Sequence, residues 1–168
     1  MITFEQIKNF RIEAKSKRKS NRDLLKKSIV DFFQIYKTGL GLQQETFSDG
    51  EKDYPYVVLV DSDGKQKDAD SIIVDSSIKA RFQLYTVVDD SPSHTAAESV
   101  NVSIFYLNTE LCYKISGLSQ PEKTFSNIIS DENLIEISEF IKQSLLDKMA
   151  SDYGLLKKPV SETVNLWD

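Results

Sequence analysis

The chain has 168 residues and a mass of 19.1 kDa, which suits one core of ordinary size and leaves little room for two. Apolar residues make up 40% and charged residues 28%, which excludes a disordered chain, and no apolar run reaches the roughly 18 residues of a bilayer-spanning helix. The net charge of -5 divides into +6 over residues 1–37 and -11 over residues 38–168, so a basic N-terminal region precedes an acidic body.

Thr3 and Gln6 have the spacing of a capping box, so a helix starts there. Phe4, Ile7, Phe10 and Ala14 give it a thin apolar stripe, and residues 15–19 are wholly polar. Ser20 offers a second cap, after which Leu25, Ile29, Phe32, Phe33, Tyr36 and Leu40 recur at three- and four-residue steps, the pattern of a helix with one buried face. The sequence leaves open whether this basic region, residues 1–38, is one helix or two. Gly39 and Gly41 end it, and residues 43–53 read as a loop.

From residue 54 to 118 the apolar pattern changes to a period of two. Residues 56–60 form a β-branched-rich strand, and Asp61-Ser62-Asp63-Gly64 is turn chemistry that predicts a tight reversal. Ile78, Ala80, Phe82, Leu84, Thr86 and Val88 alternate with Lys79, Arg81, Gln83 and Tyr85, one set facing a core and the other water. Residues 89–98, with Pro92, read as a mobile connection. Val100, Val102, Ile104 and Tyr106 repeat the alternation, and Asn108-Thr109-Glu110 separates them from Leu111, Tyr113 and Ile115 in a compact hairpin. After a linker around Gly117 and Pro121, Asp131 is the expected cap of a last helix over residues 131–153. It carries Leu134, Ile137, Phe140, Ile141, Leu145 and Met149 on one side. Gly154 and Pro159 stop it, and residues 155–168 form a tail.

The expectation is a single α+β domain: an N-terminal helical region, a central mainly antiparallel sheet of about four to six strands, and a long C-terminal helix, with helices covering one face of a curved sheet. Two helical regions are available to cover two sheet faces.

Catalytic and metal chemistry find little support. Gly39-Leu40-Gly41 lacks the remaining glycine and lysine of a phosphate loop, and it follows a helix instead of a strand. His94 is the one imidazole, expected on a surface loop, and pairing it with a serine or with Cys112 needs a convergence that the sequence does not show. Asp61, Asp63, Asp68, Asp70 and Asp75 cluster without the spacing of a calcium loop, and Glu13-Ala14-Lys15 lacks the upstream aspartate of a nuclease motif. No catalytic residue, metal or cofactor is assigned. With one cysteine and no signal-like segment over residues 1–6, a soluble cytoplasmic protein is expected.

Binding surfaces carry more weight. Residues 8–27 hold nine Lys or Arg, and Lys15, Lys17, Arg18, Lys19, Arg22 and Lys26 are the candidates for nucleic acid or an acidic partner. Tyr85 and Phe105, on the wet side of their strands, and Trp167, on the tail, are candidates for a protein partner or a second copy. The order of helix, antiparallel strands and acidic helix resembles small secretion chaperones, immunity proteins and phage tail or neck components in architecture and charge. The leading expectation is a non-enzymatic interaction module such as an inhibitor, immunity protein or assembly factor. The alternatives are a nucleic-acid-associated accessory protein and a structural subunit of a larger assembly.

Overall fold

The computed structural model describes residues 2–42, 46–48, 51–91, 94–117 and 121–152. The chain runs α1 (Phe4–Gly39), β1 (Thr46–Ser48), β2 (Asp53–Pro55), β3 (Val57–Val60), β4 (Gln66–Lys67), β5 (Lys79–Ser91), β6 (His94–Leu107), β7 (Glu110–Ser116), β8 (Lys123–Phe125) and α2 (Asp131–Asp152). Strands β3 to β8 form one antiparallel sheet in the order β4-β3-β5-β6-β7-β8, and β1 and β2 form a separate small hairpin. The architecture is α+β, with a helix at either end of an antiparallel sheet.

The first 36 helical residues are continuous, so Ser20 does not break them. Thr3 caps the helix as expected: its hydroxyl accepts from the Gln6 amide while the Gln6 side chain accepts from the Thr3 amide at 2.9 Å. At the other end, Ser130 and its neighbour are tied by Asn133, whose Oδ1 accepts from the amides of Ile129 and Ser130 and from the Ser130 hydroxyl. The cap therefore precedes Asp131, which is already helical.

Three stretches differ from the sequence expectation. Within residues 43–53, Thr46–Ser48 pairs with Asp53–Pro55, and Phe47 stacks against Tyr54 and Tyr56. Residues 89–98 are mostly strand, because β5 and β6 stay paired as far as Ser91 and His94. The ladder slips by one residue between Val87 and Asp89, which turns Val88 outward and ends the alternation that favoured it as core. The sheet also extends past residue 118, where β8 pairs with β7 at the edge.

One face of the sheet carries Val57, Leu59, Ala80, Phe82, Leu84, Val100, Val102, Ile104, Leu111, Tyr113 and Ile115, all buried. Both helices lie on this face. Leu25, Ile29, Phe32 and Tyr36 of α1 and Leu134, Ile137, Ile141 and Leu145 of α2 complete the core, and Phe140 meets Phe125 edge to face. The helices thus cover one face of the sheet, as the architecture implied, and not one face each; the two apolar stripes also bury each other. Burying each of these side chains is worth about 1.5–3 kcal/mol.

Two hydroxyl pairs fix the register of α1 on the sheet. The Tyr113 hydroxyl lies 2.6 Å from Ser28 Oγ and donates to the Ser28 carbonyl at 2.9 Å, and the Tyr36 hydroxyl lies 2.9 Å from Thr86 Oγ1. Burial pushes the Tyr36 phenol up to about 12, against the smaller opposing effect of Thr86, and it raises Tyr113 as well. The β6–β7 turn has both central residues, Asn108 and Thr109, in the left-handed region, as a two-residue hairpin on twisted strands requires.

Two expected outcomes follow from this packing. Tyr113→Phe leaves the buried Ser28 hydroxyl without its phenol partner and costs about 1–3 kcal/mol of unfolding free energy in urea titration. Among the described residues Ser138 Oγ is buried with no partner, so Ser138→Ala is neutral or stabilising by up to about 1 kcal/mol. Raised phenol values also set an alkaline limit. A group whose folded value lies above its unfolded one contributes fully below the unfolded value, so stability holds to about pH 10 and falls as pH rises toward 12. Urea midpoints at pH 8 and pH 11 read that loss.

Candidate functional site: the projecting half of α1

The buried residues of α1 are confined to Leu25, Ser28, Ile29, Phe32 and Tyr36. Every residue from 2 to 20 is exposed. A helix rises about 1.5 Å per residue, so about 25 Å of α1 runs on beyond the part that packs. Phe4, Ile7 and Phe10 on this arm are 78%, 59% and 73% exposed. Together with Ala14 they continue the three- and four-residue spacing that puts Leu25, Ile29, Phe32 and Tyr36 in the core, so one stripe is buried in its second half and open in its first.

The root of the arm is held by two arginines. Arg22 Nη2 donates to the Asp75 carbonyl at 2.8 Å, and Arg18 donates to the Ser76 carbonyl. That loop is rigid because the Asp75 carboxylate accepts from the amides of Ser77 and Lys79 at 2.7 and 3.0 Å. Asp61 does the same for the β3–β4 turn, accepting from Asp63 and Lys65. These amide contacts, led by Lys65, hold its carboxyl below the usual carboxylate value, with Lys67 adding to them at 3.8 Å. The acidic cluster of the sequence is in this way partly occupied with its own backbone. Among the described residues no group of three or more His, Cys, Asp or Glu side chains is placed to hold a metal ion.

The basic candidates separate into three groups. Arg18 and Arg22 bind loop carbonyls. Lys15, Lys19 and Lys26 are exposed on one side of α1, and Lys17 points to another. No hydrogen bond or ion pair to these four lysines forms among the described residues. Lys8 and Arg11 lie in line with Lys15 and Lys19. The three- and four-residue spacing that reveals this was present in the sequence, but it has a single meaning only once α1 is known to be unbroken.

Tyr85 and Phe105 share the sheet face away from the helices, where both are half-buried. Tyr85 stands opposite Ser99 and Phe105 opposite Lys79, which puts the two aromatics six residue pairs, about 20 Å, apart along the ladder. Tyr85 donates to Gln83 at 3.1 Å, and the Lys79 ammonium sits 5.2 Å above the Phe105 ring. The structure therefore does not bring them together. Cys112, opposite Phe105, is buried. His94 opens β6, and Trp167 lies outside the described residues.

A cleft of about 520 Å³ opens beside the anchored part of α1, between Leu24, the β6–β7 turn and the segment leading to α2. Leu24, Tyr106, Leu111, Ile128 and Leu134 give it an apolar floor, and Asp31, Glu110 and Asp131 give it acidic sides.

No family model, no curated protein and no solved structure matches the chain. No helix among the described residues is long and apolar enough to cross a membrane.

An arm whose residues 2–14 pack on none of the described residues of the body adds little to folding. Removing residues 2–14 is expected to change the unfolding free energy by less than about 1 kcal/mol, read by urea denaturation of the full and shortened chains. A larger loss would mean that the arm has contacts with the body.

Proposed function

We propose that the chain is a non-enzymatic protein–protein interaction module whose contact element is the projecting half of α1. The observation that carries this reading is the exposed stripe of Phe4, Ile7, Phe10 and Ala14 on a helix already anchored at its other end. Isolated helices of this length are marginal in water, whereas this one is nucleated by the packed turns that follow it. A partner then gains apolar burial without the full ordering cost of a free peptide.

The spacing suits the helix-in-groove mode, in which side chains at i, i+3 and i+6 or i+7 enter one apolar channel. Lys8, Arg11 and Lys15 border the stripe, so the fitting partner is a protein with an apolar groove and an acidic rim. The arm supports this better than the open sheet face does, because Tyr85 and Phe105 are about 20 Å apart and each is engaged by a neighbour on its own face. Within the roles of inhibitor, immunity protein or assembly factor, a rigid extended arm fits assembly best, since it can reach a second body while leaving its own sheet and helices unperturbed.

The test is affinity capture of the tagged protein from its native extract after nuclease treatment, with the Ile7→Asp/Phe10→Asp variant alongside. The expected result is a stoichiometric protein partner that the variant loses while its urea midpoint stays unchanged. Equal capture by both chains would overturn the reading.

A further inference from the structure

The apolar stripe occupies only one side of the arm, and a second side has its own order. Lys8, Arg11, Lys15, Lys19, Arg22 and Lys26 follow at steps of three or four residues along a helix that the structure shows to be unbroken. At about 100° per residue they fall within roughly a quarter of the circumference, in a line of about 27 Å. Glu5, Glu13 and Asp23 lie outside that arc. Among the described residues the single ion pair that touches the line is Lys8 with Glu5, at 4.0 Å and exposed. Arg22 is oriented by its bond to the Asp75 carbonyl, which uses one of the five donors of its guanidinium.

We infer that this line is a track for the phosphate backbone of double-stranded nucleic acid. Charge complementarity argues for it in three ways. The cations repeat about every 4.5–6 Å along a line that the rigid helix fixes in advance, so several of them can meet the closely spaced phosphates of a duplex at once. No apolar side chain interrupts the line beyond Phe4, whereas the centre of a protein interface is apolar and depleted in charge. No aromatic ring lies among the cations, so the track lacks the stacking platforms that hold single strands, and its contacts are with backbone instead of bases. The track adjoins the protein-binding stripe and shares Lys8, Arg11 and Lys15 with its border, but it rests on a different observation, the line of cations instead of the exposed apolar side chains.

The experiment is fluorescence anisotropy of a labelled 24-base-pair DNA duplex with the full-length protein across 50–300 mM NaCl. Five exposed cations, Lys8, Arg11, Lys15, Lys19 and Lys26, predict a slope of log affinity against log salt of about -4 to -5, without sequence preference. Lys15→Gln/Lys19→Gln is expected to shrink the slope by about 2. Lys17→Gln/Lys27→Gln removes the same charge from α1 off the line and is expected to leave the slope unchanged. Binding by the single strand should be weaker than by the duplex. No binding at 50 mM salt, equal losses in the two variants, or a single strand that binds as tightly as the duplex would each overturn the proposal. All four lysines are exposed, and circular dichroism of each variant confirms that α1 is retained.

Discussion

The seating of residues 25–36 on the sheet is the constraint from which the rest follows. Leu25, Ile29, Phe32 and Tyr36 supply the apolar burial, and the Ser28–Tyr113 and Tyr36–Thr86 hydroxyl pairs select one register from the several that a smooth apolar stripe would allow. Slipping the helix by one turn would leave these hydroxyls buried without partners, a penalty of several kcal/mol in total. With that register fixed and the helix continuous from Thr3 onward, the position of residues 4–20 is no longer free. They extend past the body because helical hydrogen bonds, and not tertiary contacts, hold them in line.

The same helix therefore has two energetic regimes. Its second half is stabilised by the core, and its first half by the capping box, by the arginine bonds at its root and by continuity with the packed turns. Arg18 and Arg22 mark the boundary. They stand at core-facing spacing where an apolar residue would continue the stripe, and they meet loop carbonyls at the point where the core stops. Beyond them the helix presents an apolar side and, next to it, a basic side, as the 3.6-residue repeat sorts the two chemistries. Such sorting has no consequence for folding when every residue is exposed, which is why the arm reads as a binding element.

Most of the architecture was legible in the sequence, since local signals suffice for it. The capping box, the stripe from Leu25 to Tyr36, the reversal after Val60 and the Asn108-Thr109 turn all depend on residues close together in the chain. What was not legible depends on distant parts. The burial of α1 and α2 against each other depends on residues about a hundred positions apart, and the pairing of residues 89–91 with 94–96 follows from a long ladder that carries through a bulge. The candidate site was half legible. Its basic composition stood out, but the withdrawal of Arg18 and Arg22 to carbonyls more than fifty residues away, and the alignment of Lys8 and Arg11 with Lys15 and Lys19, require the fold. Tyr85 and Phe105 share a face as the alternation implied, but their separation depends on strand register, which hydrophobic pattern alone does not set.

The central claim is that α1 is one helix with an anchored half and an open half. Amide hydrogen exchange along α1, resolved by residue, tests it most directly. The account predicts that amides of residues 26–38 exchange near the limit of global unfolding while those of residues 8–17 exchange orders of magnitude faster, with a step at Arg18 to Arg22. Uniform protection from residue 8 to residue 38 would contradict it, because the arm would then have to be held by contacts absent among the described residues.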